Sequence, residues 1–449
     1  MNTNESNLTQ GSLGDKIFRF ALPLALTGIL QQLFNAADVV VIGRFVGKEA
    51  MAAVGSNTPV IGLLVNLFVG ISLGAIVVIA RYTGEQNEEK VHDAVHTAIA
   101  IALVSGLTLM AVGEALAVPF LRLLSVPASV MPLSVLYLRI YFLGLPVILL
   151  YNFESGIFRS QGNTRTPLIC LVISGVINVI LNLIFVVVFH HSVDGVAWAT
   201  VIANCVSSGL LLTLLCHQED WTRVRLREIR IHGTQAAEIF RIGVPAGIQG
   251  MVFAVSNVTI QSAINSLGAD IMAASSAAFN IEIIAYYIIN SFGQACTTFV
   301  SQNLGAGKLD RCRWATKLAL LQDLAATLGI MFILLTFGKP LLGLFNEDPV
   351  VVQYGYIRLQ YLVGGELLDV IMEVLSGAMR GYGRSLEPAV VTVLGVCGVR
   401  IAWVLTVFAR SHDYGTLMSV YPLSWAVTAA ILTVVYVHAR RSGKLLNFS

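Results

Sequence analysis

Charge is scarce in this 449-residue chain. Asp, Glu, Lys and Arg make up 12% of it, about half of what a soluble domain carries. Absent too is any GxxxxGK[ST] loop, and the nearest stretch, NLGAGKLD, lacks the first Gly. With no soluble segment large enough for a nucleotide-binding domain, an ATP-driven machine is excluded. There is no HExxH or GxSxG, so the commonest hydrolytic sites are missing. The six cysteines (Cys170, Cys205, Cys216, Cys296, Cys312, Cys397) are scattered without a CxxC pair and read as small core residues. The polar start, MNTNESNLTQGSLGD, has no basic region ahead of an apolar core, so a cleaved signal peptide is not expected. Net charge is +2, which points to no nucleic-acid partner.

What is present is apolar length. Hydrophobic residues make up 56%, mean hydropathy is +0.77, and the apolar runs reach the roughly 20 residues that cross a bilayer as a helix. Backbone polar groups cannot stay unpaired in lipid, so such runs are helices. The sequence predicts an all-α polytopic membrane protein with about twelve spans, near 17–43, 50–80, 93–122, 131–158, 166–190, 194–216, 238–265, 270–302, 314–340, 351–379, 387–409 and 416–438. Most of the 28 Lys and Arg fall at the termini or after even-numbered spans, among them Arg223, Arg225, Arg227, Arg230, Lys308, Arg311, Arg380 and Arg384. The positive-inside rule then puts both termini in the cytoplasm of a cell with this protein in its plasma (inner) membrane.

The two halves repeat each other. IFRFALP at Ile17–Pro23 returns as IFRIGVP at Ile239–Pro245, VGKEAMAA at Val46–Ala53 as LGADIMAA at Leu267–Ala274, and SGIFRSQGNTRTP at Ser155–Pro167 as SGAMRGYGRSLEP at Ser376–Pro388. The shift stays close to 221 residues. Six spans per half preserve direction, so these are parallel repeats about an axis along the membrane normal, a plan that places a substrate site between the halves. The expected division is an N-lobe over 1–217, a cytoplasmic Arg-rich linker over 218–237 and a C-lobe over 238–449. Pro23 and Pro245 hold equivalent places and are candidate hinges, since proline breaks a helix hydrogen bond.

The few polar residues inside spans are patterned. Thr27, Gln31, Asn35 and Asp38 share one face of span one, and a buried carboxylate must be protonated, paired or bound to a cation. Ser174, Asn178 and Asn182 form a stripe in span five, and Asn204 in span six is a candidate neighbour. Polar stripes also glue helices together, but a carboxylate at the end of one suits cation coupling. In span ten, Glu366, Asp369 and Glu373 line one face, where like charges repel unless a cation, Arg358 or Arg400 relieves them. Glu282 in span eight lies near Tyr286 and Tyr287, an arrangement suited either to an amphipathic cation, through charge and cation–π contact, or to a structural ion pair. Phe34 and Tyr151, with Phe153 and Phe279, are candidate cavity aromatics. His92 and His96, one turn apart, have metal-ligand spacing but read better as a solvated helix start, and no metal site is assigned.

The chain resembles the multidrug and toxic compound extrusion (MATE) family over nearly its whole length. The resemblance rests on FRFALPLALTGILQQLFNAADVVVIGRFVG, on the tandem SGIFRSQGNTRTP and SGAMRGYGRSLEP, and on FVSQNLGAGKLDR, which looks like the branch named for DNA-damage-inducible protein F. It implies two six-helix lobes forming a V, acting as a monomer, and efflux of amphipathic cationic drugs in exchange for H+ or Na+, with no other cofactor and no enzymatic activity. It also implies that Asp38 is the coupling residue, with Gln31, Asn35, Asn178 and Asn182 around it, and that Asp369 matches an acidic residue that binds cation in some members. Two departures bear on the ion. Asn182 stands where some members have an aspartate, and Phe253 where some carry a span-seven glutamate. The first removes a carboxylate from the two-carboxylate proton network and leaves Asp38 as the main titratable group of the N-lobe. The second weakens a C-lobe sodium site, and H+ is expected because one buried carboxylate suffices for a proton. A flippase for lipid-linked sugars is the alternative within the same two-lobed plan, less suited to an acidic cavity.

Overall fold

The computed structural model describes residues 8–124 and 126–443; the first seven residues of the polar start lie outside it. Twelve long helices account for nearly all of the described chain: α1 Leu13–Phe45, α2 Lys48–Gly84, α3 Glu88–Leu123, α4 Met131–Ser160, α5 Arg165–Val188, α6 Val193–Cys216, α7 Gly233–Asn265, α8 Ala269–Gly305, α9 Leu309–Gly343, α10 Pro349–Gly381, α11 Leu386–Ser411 and α12 Tyr414–Arg441. Each matches one expected span; all but α5, which ends at Val188 short of the expected 190, contain it, and most extend past it. A 37-residue helix such as α2 is about 55 Å long, well beyond a hydrocarbon core of about 30 Å. Eleven of the twelve are apolar enough to cross a membrane. The exception is α10, whose Arg358, Glu366, Asp369 and Glu373 lower its hydropathy. Large apolar side chains such as Phe332, Leu394, Leu405 and Val434 are exposed on the helix surfaces, a pattern that lipid explains and water does not.

The chain forms two compact units. Of the described residues, one unit is Leu26–Gly247 and the other holds residues 8–25 together with residues 248–443. The divisions fall inside α1 and α7, two residues after Pro23 and Pro245. In the first unit, residues 233–247 of α7 lie against α2 so closely that a Cβ on Gly70 would sit 2.1 Å from the backbone nitrogen of Gly247. The linker is tied to α3: Arg225 N–H donates to His96 Nε2 at 3.0 Å and His232 N–H to Thr97 Oγ1 at 3.0 Å. In the second unit, the segment leading into α1 is held by the turn between α8 and α9. Leu8 N–H donates to Gln302 Oε1 at 3.0 Å, Lys308 Nζ to the Thr9 carbonyl at 2.9 Å and Gln322 Nε2 to the Gly14 carbonyl at 2.8 Å. The FVSQNLGAGKLDR stretch is therefore the seat for the N-terminal segment.

The repeat extends to backbone conformation. Gly47 and Gly268, 221 residues apart, have φ of 123° and 105°, each at the start of a helix. Gln86 (φ 55°) pairs with Gly307 (φ 71°) at the same shift. A Cβ at Gly47 or Gly268 would meet nothing within 4 Å, so these glycines are required by backbone angle alone. Gly47→Ala and Gly268→Ala should each destabilise the protein by about 1–3 kcal/mol, whereas Gln86→Gly should stabilise it by about 1 kcal/mol. Thermal melting of the purified variants checks both signs, and unchanged melting would contradict the assignment.

Candidate functional site

In the Leu26–Gly247 unit, Asp38 of α1 is buried, at 7% exposure, and meets α5 and α6. Asn182 Nδ2 donates to Asp38 Oδ1 at 2.5 Å, and Thr200 Oγ1 approaches Asp38 Oδ2 at 3.3 Å. Asn182 Nδ2 also reaches Asn178 Oδ1 at 3.2 Å, and Asn178 Nδ2 lies 3.5 Å from Thr200 Oγ1, closing a ring of four polar side chains. Asn204 Nδ2 donates to the Thr200 carbonyl at 2.8 Å. Asn182 comes just before a wider π-type turn at Ile184–Val188, an irregularity common at functional positions. Among the described residues no basic side chain pairs with Asp38.

The chemistry follows from what each neighbour can do. Asn182 offers only donors to Oδ1, so that oxygen stays an acceptor in either state. Thr200 carries a hydroxyl, which donates to a carboxylate and, turned about, accepts from a carboxylic acid. A proton on Oδ2 is therefore accommodated by rotation of one hydroxyl. Thr200 is absent from the sequence-based candidates; its signal was the four-residue spacing to Asn204 on α6. Of the other candidates on this unit, Asn178 and Asn182 join Asp38, while Gln31 and Asn35 are exposed and make no hydrogen bond to it. Ser174 bonds back to the Leu171 carbonyl. Phe34 fills the space that a Cβ on Gly175 would need, and Tyr151 and Phe153 lie in the unit's apolar core.

The second unit handles its acids differently. Glu282 is not left open to the tyrosines: Arg358 Nη2 meets Glu282 Oε1 at 2.5 Å and Arg358 Nε meets Oε2 at 3.0 Å, with Ser275 accepting from Nη1 at 2.6 Å. Of the two readings of Glu282, the structure displays the ion pair. Tyr286 and Tyr287 stack edge to face, and Tyr286 and Phe279 are largely exposed. Glu366 and Asp369 are buried on α10 and Glu373 is half-buried. Asp323 of α9, 0% exposed and accepting from Thr327 Oγ1 at 3.3 Å, lies within electrostatic reach of Asp369 and Glu373. Arg400 acts on Asp369 from α11. Its guanidinium sits 4.3 Å from the Tyr421 ring centre, 5.6 Å from Trp425 and 5.3 Å from Phe253. Phe253, at the place of the span-seven glutamate, thus faces a fixed cation.

The sequence missed two fully buried carboxylates, Asp323 and Glu154. Each is a lone acid in an apolar run, without the stripe that marked Asp38 and Asp369. Elsewhere, ligand atoms of His92, His96 and Glu228 lie within 4.8 Å of one another. Both ring nitrogens of His96 are already engaged, with the His92 carbonyl at 2.8 Å and the Arg225 N–H, so this cluster fastens the linker.

Comparison with known proteins places this geometry. The MatE family model matches residues 23–184 and 245–405. The chain is 26% identical over 426 residues to "Probable multidrug resistance protein YoeA" of Bacillus subtilis (strain 168), covering 93% of this chain and 92% of that one. It is 23% identical to "Probable multidrug resistance protein NorM" of Thermotoga maritima, over 86% and 84%. A solved structure described as an outward-facing conformation of a multidrug resistance MATE family transporter of the MOP superfamily aligns with TM-score 0.90 at 20% identity, over 99% of both chains, a likeness of fold.

The Glu282–Arg358 pair yields a test. Arg358→Met leaves a buried, unpaired carboxylate and should destabilise by about 3–5 kcal/mol, whereas Glu282→Leu with Arg358→Met should recover most of that loss. Thermal melting in detergent reads both. Equal melting of the single and double variants would contradict a structural pairing.

Proposed function

The chain belongs to the MatE family of multidrug and toxic compound extrusion transporters, and from that premise we propose that it is a secondary multidrug antiporter exporting amphipathic cations in exchange for H+. The observation that carries the coupling is Asp38, a buried carboxylate held by an amide and a hydroxyl with no basic partner among the described residues. An unpaired charge deep in a bilayer costs roughly 3 kcal/mol or more. Asp38 is therefore stable either protonated or with a cationic substrate near enough to compensate it. The two states exclude each other, and exclusion is what makes exchange obligatory.

H+ is favoured over Na+ by the second unit. A sodium ion needs several oxygen ligands and no competing charge, and Arg400 with its aromatic cage of Phe253, Tyr421 and Trp425 supplies a competing charge beside Asp369. Pro23 and Pro245, two residues from the unit divisions, are the hinges about which access alternates. The basic stretches put both termini on the cytoplasmic side, with the protein working as a monomer. Glu366, Asp369 and Glu373, with Tyr286 and Tyr287, are the surfaces that attract the cation.

Ethidium transport in proteoliposomes tests this. Wild type should transport under an imposed pH gradient in sodium-free buffer, and Asp38→Asn should lose on the order of a hundredfold. Transport that needs a sodium gradient, or that survives in Asp38→Asn, would contradict H+ coupling at Asp38.

A further inference from the structure

The Leu26–Gly247 unit holds a second carboxylate that the coupling described above leaves unused. Glu154 lies on α4, six residues before the helix ends at Ser160, and is 0% exposed. Ser208 Oγ of α6 donates to its Oε2 at 2.9 Å, and its Oε1 has no partner. Among the described residues no basic side chain pairs with it. The titratable groups within its reach are Tyr151 on its own helix, Cys170 on α5 and Cys216 on α6, and the cations Arg159 and Arg223 act on Tyr151 and Cys216 rather than on Glu154. None of these compensates a negative charge.

Two observations argue against a structural role. The first is the internal repeat. Ser155-Gly156 matches Ser376-Gly377, so the residue equivalent to Glu154 is Leu375, which is also buried. The same helix position in the same fold is filled by an apolar side chain of similar length. The second is what connects Glu154 to Asp38. Thr200, Asn204 and Ser208 are four residues apart on one face of α6, with Ser207 beside them. Thr200 Oγ1 approaches Asp38, and Ser208 Oγ bonds Glu154. Between them, Asn204 bonds the Thr200 carbonyl at 2.8 Å, and Ser207 bonds the Asn204 carbonyl at 3.1 Å. Eight residues of helix rise put the two ends of this file about 12 Å apart. Both ends of a polar file thus carry a carboxylate without a cation.

We propose that Glu154 is a second proton-binding site of the transport cycle, exchanging its proton with Asp38 along the Thr200–Asn204–Ser208 face of α6. The inference rests on the H+-coupled reading given above. The step moves one proton: the Glu154 carboxylic acid becomes a carboxylate as the Asp38 carboxylate becomes an acid, and total charge is unchanged. Water and the Ser and Thr hydroxyls carry the proton, since amide side chains hold the file in place but do not readily relay. Glu154 sits toward the end of the unit that bears Arg159 and Arg165, the side assigned to the cytoplasm, and there it receives or discharges the proton that Asp38 trades for substrate.

The test compares wild type, Asp38→Asn, Glu154→Gln, Glu154→Leu and Glu154→Asp in proteoliposomes with ethidium. Two rates are read: accumulation under a pH gradient, and exchange of internal for external ethidium at equal pH, which needs no net proton movement. Glu154→Leu places the repeat's own residue at this position, so its folding has a precedent within the chain. The expectation is that Glu154→Gln and Glu154→Leu lose gradient-driven accumulation by about tenfold or more while retaining exchange and ethidium binding. Glu154→Asp should retain accumulation with a displaced pH midpoint. Accumulation at the wild-type rate in Glu154→Gln and Glu154→Leu, with Asp38→Asn stalled, would overturn the proposal and leave coupling at Asp38 standing. Loss of exchange and binding together with accumulation would also overturn it, in favour of a structural role. Wild-type accumulation by Asp38→Asn would remove the coupling reading itself.

Discussion

A carboxylate removed from water has to be neutral or neutralised, and the distribution of function in this chain follows from how each buried acid meets that requirement. Among the described residues of the second unit, Asp323 has only the Thr327 hydroxyl, but two other acids meet arginine. Arg358 grips Glu282 with two nitrogens, and Arg400 lies near Asp369. Among the described residues of the Leu26–Gly247 unit, no arginine pairs with Asp38 or Glu154. Asp38 has Asn182 and Thr200; Glu154 has Ser208. Amides and hydroxyls stabilise a charge but do not cancel it, so the state of these two acids depends on what else arrives.

The duplication makes this difference readable. Turns, glycines and prolines recur at a shift near 221 residues, down to the sign of φ at Gly47 and Gly268, because a helix has to start and stop in the same places in both copies. Where the copies diverge, geometry is not the reason. Leu375 fills the place of Glu154.

Much of this was legible in the sequence. Twelve apolar runs of sufficient length give twelve helices, since lipid permits little else. Asp38, Asn178 and Asn182 were found because they stand on stripes at helical spacing. What the sequence could not give was partnership. Arg358 and Glu282 lie 76 residues apart, and nothing in either segment says that they meet. Gln31 and Asn35 share a helix face with Asp38 but are exposed, so a shared face alone did not bring them into its hydrogen-bonded ring. Thr200, Glu154 and Asp323 escaped because a single polar residue in an apolar run has no period to detect. The α3 histidines His92 and His96 looked like a solvated helix start, yet His96 is fully buried and accepts from Arg225 of the linker, a tertiary contact across 129 residues.

The exclusion proposed here is between a proton on Asp38 and a cationic substrate. Its most direct test is proton release on binding: ethidium is added to the purified protein in weakly buffered detergent solution near neutral pH, and a pH-indicator dye follows the medium. Release that accompanies binding in wild type and is absent in Asp38→Asn, which binds without releasing, is the predicted result. Saturable ethidium binding to wild type with no proton release across that pH range would contradict the claim.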